Sequence, residues 1–238
     1  MNKRVHSFFV LFSFILISLM SCRNNTDQGF DLSGWKELEV SAEDLVNWKL
    51  LGKGQVFNIF NGQTCLMEAD TTQGVMLLGP DHYGEDIVVK YKALALTPAS
   101  VIVTMLSAGD TTSGNTLTIP EGYDGSMGLL TQNIGNYFFA FKNAPHGANP
   151  FIMKNPGSVQ EASAARPDGM VAGVYYDIEV GRSGGTVWLS IDGKKLVEMQ
   201  DQQPLKGGYV IFRLRGTAGL KAACLIRDFK IYTKQEKN

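Results

Sequence analysis

An excess of charge of either sign is missing from this sequence. Its 238 residues carry 22 Lys and Arg against 23 Asp and Glu, scattered rather than blocked, for a net charge of −1. That leaves no basic stripe for nucleic acid and no polybasic segment for acidic lipid. Cysteine and histidine are scarce, three of each, and no CxxC or Cys/His cluster occurs, so a structural zinc site has no ligand set. Patterns of the GxGxxG, P-loop, GxSxG and HExxH types are absent, which removes the sequence basis for nucleotide, serine-hydrolase and zincin chemistry. No dense Asp/Asn loop of EF-hand type is present, and no metal or other cofactor is implied. Past residue 50, helical periodicity sustained over three turns is lacking as well.

What is there begins with an export leader. Lys3 and Arg4 precede an apolar run over residues 8–20 that is short for a membrane span. Leu19-Met20-Ser21 then leads into Cys22, an order that resembles the lipobox cut by lipoprotein signal peptidase. The resemblance implies a signal peptide over 1–21 and a lipid thioether on Cys22. The expected location is the bacterial cell envelope, on the outer membrane, facing the periplasm or the cell surface. Residues 22–33 are polar and short of apolar anchors, as a flexible tether would be, which leaves 34–238 as one domain.

Within that domain Ser41, three residues before Asp44, predicts a capping box and one short helix. Strand-length apolar runs follow at 55–60, 64–69, 75–78, 85–95, 100–107, 135–142, 173–180, 186–191, 208–214 and 223–232. Asn61-Gly62 and Asp192-Gly193 supply hairpin turns. The pattern predicts an all-β sandwich of two antiparallel sheets. Two windows, 109–134 and 143–172, are poor in strand signal and are expected to be long loops on one rim. Cys65 and Cys224 suit either a disulfide, worth roughly 5 kcal/mol for so long a loop, or two buried thiols.

Taken in order, SAEDLVNWKL, VMLLGPDHYGEDIVVKYKA, NYFFAF, FIMKNPG, YYDIEVGRSGGTVWLSIDGKKL and CLIRDFKIY resemble the YesU-like proteins. The closing third is also similar to 3-keto-disaccharide hydrolase-type and laminin-G-like domains. The resemblance covers most of the chain after the leader, with Lys154-Asn155-Pro156-Gly157 its most specific part. It implies a concanavalin-like jelly roll, found among polysaccharide-degradation genes, with a concave sheet able to cradle a saccharide. It implies no established reaction.

Strand alternation places Tyr176, Ile178, Val180, Val187, Leu189 and Ile191 on the core side. Tyr175, Asp177, Glu179, Trp188 and Ser190 then share the other face. Aromatic planes with adjacent hydrogen-bonding groups suit a sugar's apolar C–H face and its hydroxyls. The same pattern also suits a face covered by a neighbouring loop or simply solvated. Asp177 and Glu179 are the carboxylate pair a glycosidase would need, although the ExDxxE arrangement of jelly-roll glucanases is absent. His146, beside Asn143, Lys154 and Asn155, forms the densest polar group, fit for acid–base chemistry or for hydrogen bonding within its own loop. Arg213 and Arg215 leave one strand face together and could grip a carboxylate or sulfate, or sit in plain ion pairs. Three functions remain open on this sequence: a membrane-tethered carbohydrate-binding protein, a glycoside hydrolase or polysaccharide lyase using the same cleft, and an envelope interaction protein with no sugar site.

Overall fold

The computed structural model describes residues 29–69, 73–111, 115–142 and 149–234. Two antiparallel sheets lie face to face. The first runs β13 (Lys194–Gln200), β12 (Thr186–Ile191), β11 (Tyr175–Ser183), β6 (Ile87–Ala95), β15 (Ala223–Lys234), β4 (Gln63–Glu68) and β3 (Gly54–Ile59), with β1 (Trp35–Val40) added along β15. The second runs β10 (Val159–Ser163), β9 (Phe151–Asn155), β8 (Ile134–Phe141), β7 (Val101–Asp110), β14 (Gly208–Arg215), β5 (Val75–Tyr83) and β2 (Lys49–Gly52). The expected short helix, α1 (Ala42–Asn47), starts with the reciprocal Ser41–Asp44 capping box. The expected hairpin turns hold Asn61-Gly62 and Asp192-Gly193 at positive φ, the conformation that such two-residue turns require.

The sheets differ in how their faces are covered, and the sequence records it. In β6 buried and half-buried residues alternate from Val89 onward, because one face meets the core and the other meets water. In β7 and β8 almost every residue is buried, because the second sheet is covered on both sides. Its inner face joins the main core through Phe139, Phe141, Phe212 and Leu77. Its outer face, with Met76, Met105, Phe138 and Ile211, carries a separate apolar cluster. That cluster is closed by Leu117, Ile119, Tyr123 and Leu130, from the segment read in sequence as a loop. The segment contains a second helix, α2 (Met127–Gln132), and lies across the sheet rather than standing on a rim. The other weak window contains β9 and β10, so it too is built structure in part.

Cys65 and Cys224 are free buried thiols. Cys65 pairs with Leu225 rather than Cys224, so the two cysteine side chains leave opposite faces of the sheet. Desolvation pushes both thiols above their ordinary value, as suits small buried hydrophobes.

Candidate binding face

The wet outer face of the first sheet is where the sequence pattern and the structure meet. Register brings Trp188 beside Gly181, Ser190 beside Glu179, Glu179 beside Lys90, and Asp177 beside Lys92. Gly181 matters because a Cβ there would come within 2.3 Å of the Trp188 ring; its absence lets the indole lie flat on the backbone. The indole Nε1 donates to Glu179 Oε1 at 2.7 Å, and Lys90 Nζ meets Glu179 Oε2 at 2.8 Å. The plane of the ring, its N–H and the carboxylate are therefore fixed relative to one another before any ligand arrives.

The outward face of that indole is already occupied. Phe30 stacks on Trp188 with ring centroids 4.3 Å apart and planes 25° from parallel, and meets Trp35 edge-on at 5.6 Å. Trp188 is consequently only 2% exposed, while Phe30 itself remains 36% exposed. The described end of the segment read as a free tether is thus packed against the domain. A cavity of about 380 Å³ opens beside the stack, lined by Phe30, Glu179, Trp188, Ser190, Lys195 and Glu198.

Tyr175 stands further along the same face. Its hydroxyl donates to Gln63 Oε1 at 2.8 Å, and the Arg227 guanidinium lies 4.2 Å above its ring. Asp177 forms an ion pair with Lys92, and its backbone N–H donates to Asp192 Oδ1 at 2.8 Å.

The remaining candidates lie elsewhere. Lys154 projects between the sheets, where its Nζ meets Asp201 Oδ2 at 2.8 Å and the Gln203 carbonyl at 2.7 Å. Tyr137 donates to the same carboxylate at 2.6 Å. Burial raises the Asp201 carboxyl, but the hydrogen bonds from Lys154, Tyr137 and the Gln203 N–H outweigh it and hold the group below its ordinary value. Asn155 is fully buried and donates to Asn136 Oδ1 at 3.0 Å, while Asn136 donates to the carbonyls of Leu130 and Ile134 at 2.8 and 3.0 Å. These amides serve the seam under α2. Arg213 is buried on the second sheet's covered face, donating to the Gln73 carbonyl, and burial lowers its guanidinium to about 10. The covering segment separates it from any open fork with the exposed Arg215. Asn143, His146 and Cys22 lie outside the described residues.

The sequence reading did not single out Phe30, Lys90, Lys92 or Arg227. The two lysines could have been found, since IVVKYKALA alternates and puts both on the wet face. Phe30 had no such signal, because residues 29–33 follow no periodicity.

No family model matches the chain, and no curated protein does. Solved structures do. A Bacillus subtilis protein of unknown function with a galectin-like fold aligns at TM-score 0.72 and 17% identity, covering 84% of this chain and all of that one. A carbohydrate-binding module from Bacillus subtilis aligns at TM-score 0.53 and 12% identity over 79% of this chain and 96% of that one. A prokaryotic β-1,3-1,4-glucanase from a mouse hindgut metagenome aligns at TM-score 0.56 and 10% identity over 84% of this chain and all of that one. Likenesses at these identities establish the architecture: the chain folds as a jelly roll of the galectin and glucanase type.

Proposed function

We propose that this chain is a lipid-anchored envelope protein whose jelly roll binds a poly- or oligosaccharide on the outer face of its first sheet, in the service of polysaccharide use. The observation that carries it is the Trp188 indole, laid flat on Gly181 with its N–H locked to Glu179. A flat ring beside a fixed carboxylate and the Ser190 hydroxyl offers a sugar both an apolar surface and hydrogen-bond acceptors. Phe30 models the contact, because one planar group already rests where a pyranose would rest. Binding therefore requires Phe30 to move aside. The leader, the lipobox-like Leu19-Met20-Ser21-Cys22 and the polar residues after it support the anchor.

Binding without catalysis fits this face better than hydrolysis. A glycosidase needs a pair of carboxyl groups free to face the scissile bond, and here both are engaged within the face, Glu179 by the Trp188 indole as well. Glu179 and Asp177 each touch a lysine.

The test is retention of the domain on immobilised neutral and acidic polysaccharides, scored alongside release of reducing or unsaturated ends. Retention without product, weakened at least about tenfold in Trp188→Ala with the fold checked by circular dichroism, is the expected result. Absence of retention on every glycan would sink the saccharide reading. Product release lost in Glu179→Gln would make the same face an active site.

A further inference from the structure

Arg227 is the least committed cation on the binding face. Arg182 donates to Ser107 Oγ and the Lys206 carbonyl, and Arg213 to the Gln73 carbonyl. Arg227 donates no hydrogen bond among the described residues. Its Nε is shut off from water and lies 3.7 Å from Asp228 Oδ2, beyond hydrogen-bonding reach. The guanidinium is nonetheless held in place, its central carbon 4.2 Å over the Tyr175 ring, while the Tyr175 hydroxyl is pinned by Gln63. The ring contact restrains the guanidinium without using any of its donors.

The backbone contributes to this placement. Between Arg227 and Lys230 the pairing of β15 with β6 shifts register, and Asp228 sits at φ 53°, a conformation that side-chain-bearing residues seldom adopt. Bulges of this kind re-aim a neighbouring side chain. Arg227 is paired directly with Lys92, so two cations stand side by side on adjacent strands, with Lys90 and Lys230 forming the next such pair. Glu179 and Glu37 hold Lys90 and Lys230, and Asp177 holds Lys92, while Arg227 has only the distant Asp228.

Resting on the saccharide reading above, we infer that Arg227 and Lys92 form a carboxylate subsite, so that the favoured ligand is a saccharide bearing uronate groups. A planar carboxylate matches the guanidinium fork in two parallel hydrogen bonds, with Lys92 as a second cation. From Trp188 the subsite is four residues along and three strands across, roughly 20 Å at ordinary strand spacings. An extended oligosaccharide reaches both ends; a monosaccharide occupies one. Asp177 and Asp228 compete with the incoming carboxylate, which keeps the subsite weak in the absence of the aromatic contact.

Two probes separate the subsite from the platform. Polygalacturonate and its fully methyl-esterified form share a backbone and differ in carboxylate charge. The wild-type domain is expected to bind the free acid at least about fivefold more tightly, with the difference shrinking in salt. Arg227→Lys, which keeps the charge but loses the fork, should reduce that preference, and Arg227→Gln, which loses both, should reduce it further. Asp228→Asn should increase it, because asparagine tolerates the left-handed backbone while the competing charge is gone. Equal binding of the two polymers would overturn the subsite and leave the platform standing. Should neither polymer bind, titration with monomeric galacturonate, followed by the Arg227 Nε–Hε nuclear magnetic resonance signal, decides the matter independently. A saturable shift absent with galactose supports the subsite, and no shift overturns it.

Discussion

Phe30 and Glu179 act on one indole from two sides. Glu179 fixes its orientation, and Phe30 denies access to its face. An aromatic pair is worth about 0.5–1.5 kcal/mol, so removing the Phe30 ring should relieve a competition of that size. Phe30→Ala is expected to tighten saccharide binding about two- to tenfold, measured by affinity electrophoresis against Trp188→Ala as the dead control. Unchanged affinity would mean that Phe30 only shields the ring. At this scale the sequence was legible wherever a side chain obeyed a two-residue period. The alternation in VYYDIEVG and TVWLSIDG put Tyr175, Asp177, Glu179, Trp188 and Ser190 on one face, where register now places them. What the period could not tell was which neighbours would lie on top. Phe30 over Trp188 and Arg227 over Tyr175 are contacts between residues far apart in the chain, set by tertiary folding.

Among elements, the segment over the second sheet depends on two amides. Asn136 ties the end of α2 and the start of β8 together, and Asn155 secures Asn136 from β9. Asn136→Ala leaves the Leu130 carbonyl and the Asn155 amide without their partner, at a cost of about 2 kcal/mol. The loss is expected chiefly over residues 127–132, read as faster amide exchange there before the strands respond. Asp201 performs a comparable task between the sheets, joining the end of β13 to β8 and β9 through Tyr137 and Lys154. Its carboxyl is held below the ordinary aspartate value, so folding is favoured by its ionised form. That contribution is complete above the unfolded value and is lost as pH falls through the lower folded value. Asp201→Asn should therefore be less stable near neutrality yet lose less stability below about pH 4, seen in melting temperatures taken down an acid series. The sequence showed the long strands of the core because each buries a continuous or alternating apolar run. It missed β1, β2, β9, β10 and β13, which are short and mostly near sheet margins, where fewer positions must be apolar. It missed α2 because six residues are too few for a helical period to show.

For the molecule as a whole, the two apolar clusters divide the labour. One joins the sheets, and the other fastens a covering segment to the back of the second sheet. The strand-spacing pattern was sufficient to anticipate a sandwich of two antiparallel sheets, which the structural likenesses establish as a jelly roll. It was not sufficient to show which sheet face stays open, since that depends on where a segment without periodicity comes to rest. If the open face of the first sheet takes the ligand, protection should be one-sided. Lysine acetylation in the presence of a bound glycan is expected to fall at Lys90, Lys92 and Lys230, which face outward on that sheet, and to remain unchanged at Lys49 on the second. Protection at Lys49 instead would move the site across the sandwich. The covered sheet also gives the molecule a front and a back. Two copies meeting the same glycan strand must approach it front to front, clasping the strand between them, or stand side by side facing one way. If many copies crowded along one polymer, their sealed backs would turn outward together, and orientation would become a property of the assembly, set by a helix and a loop on the face away from the ligand.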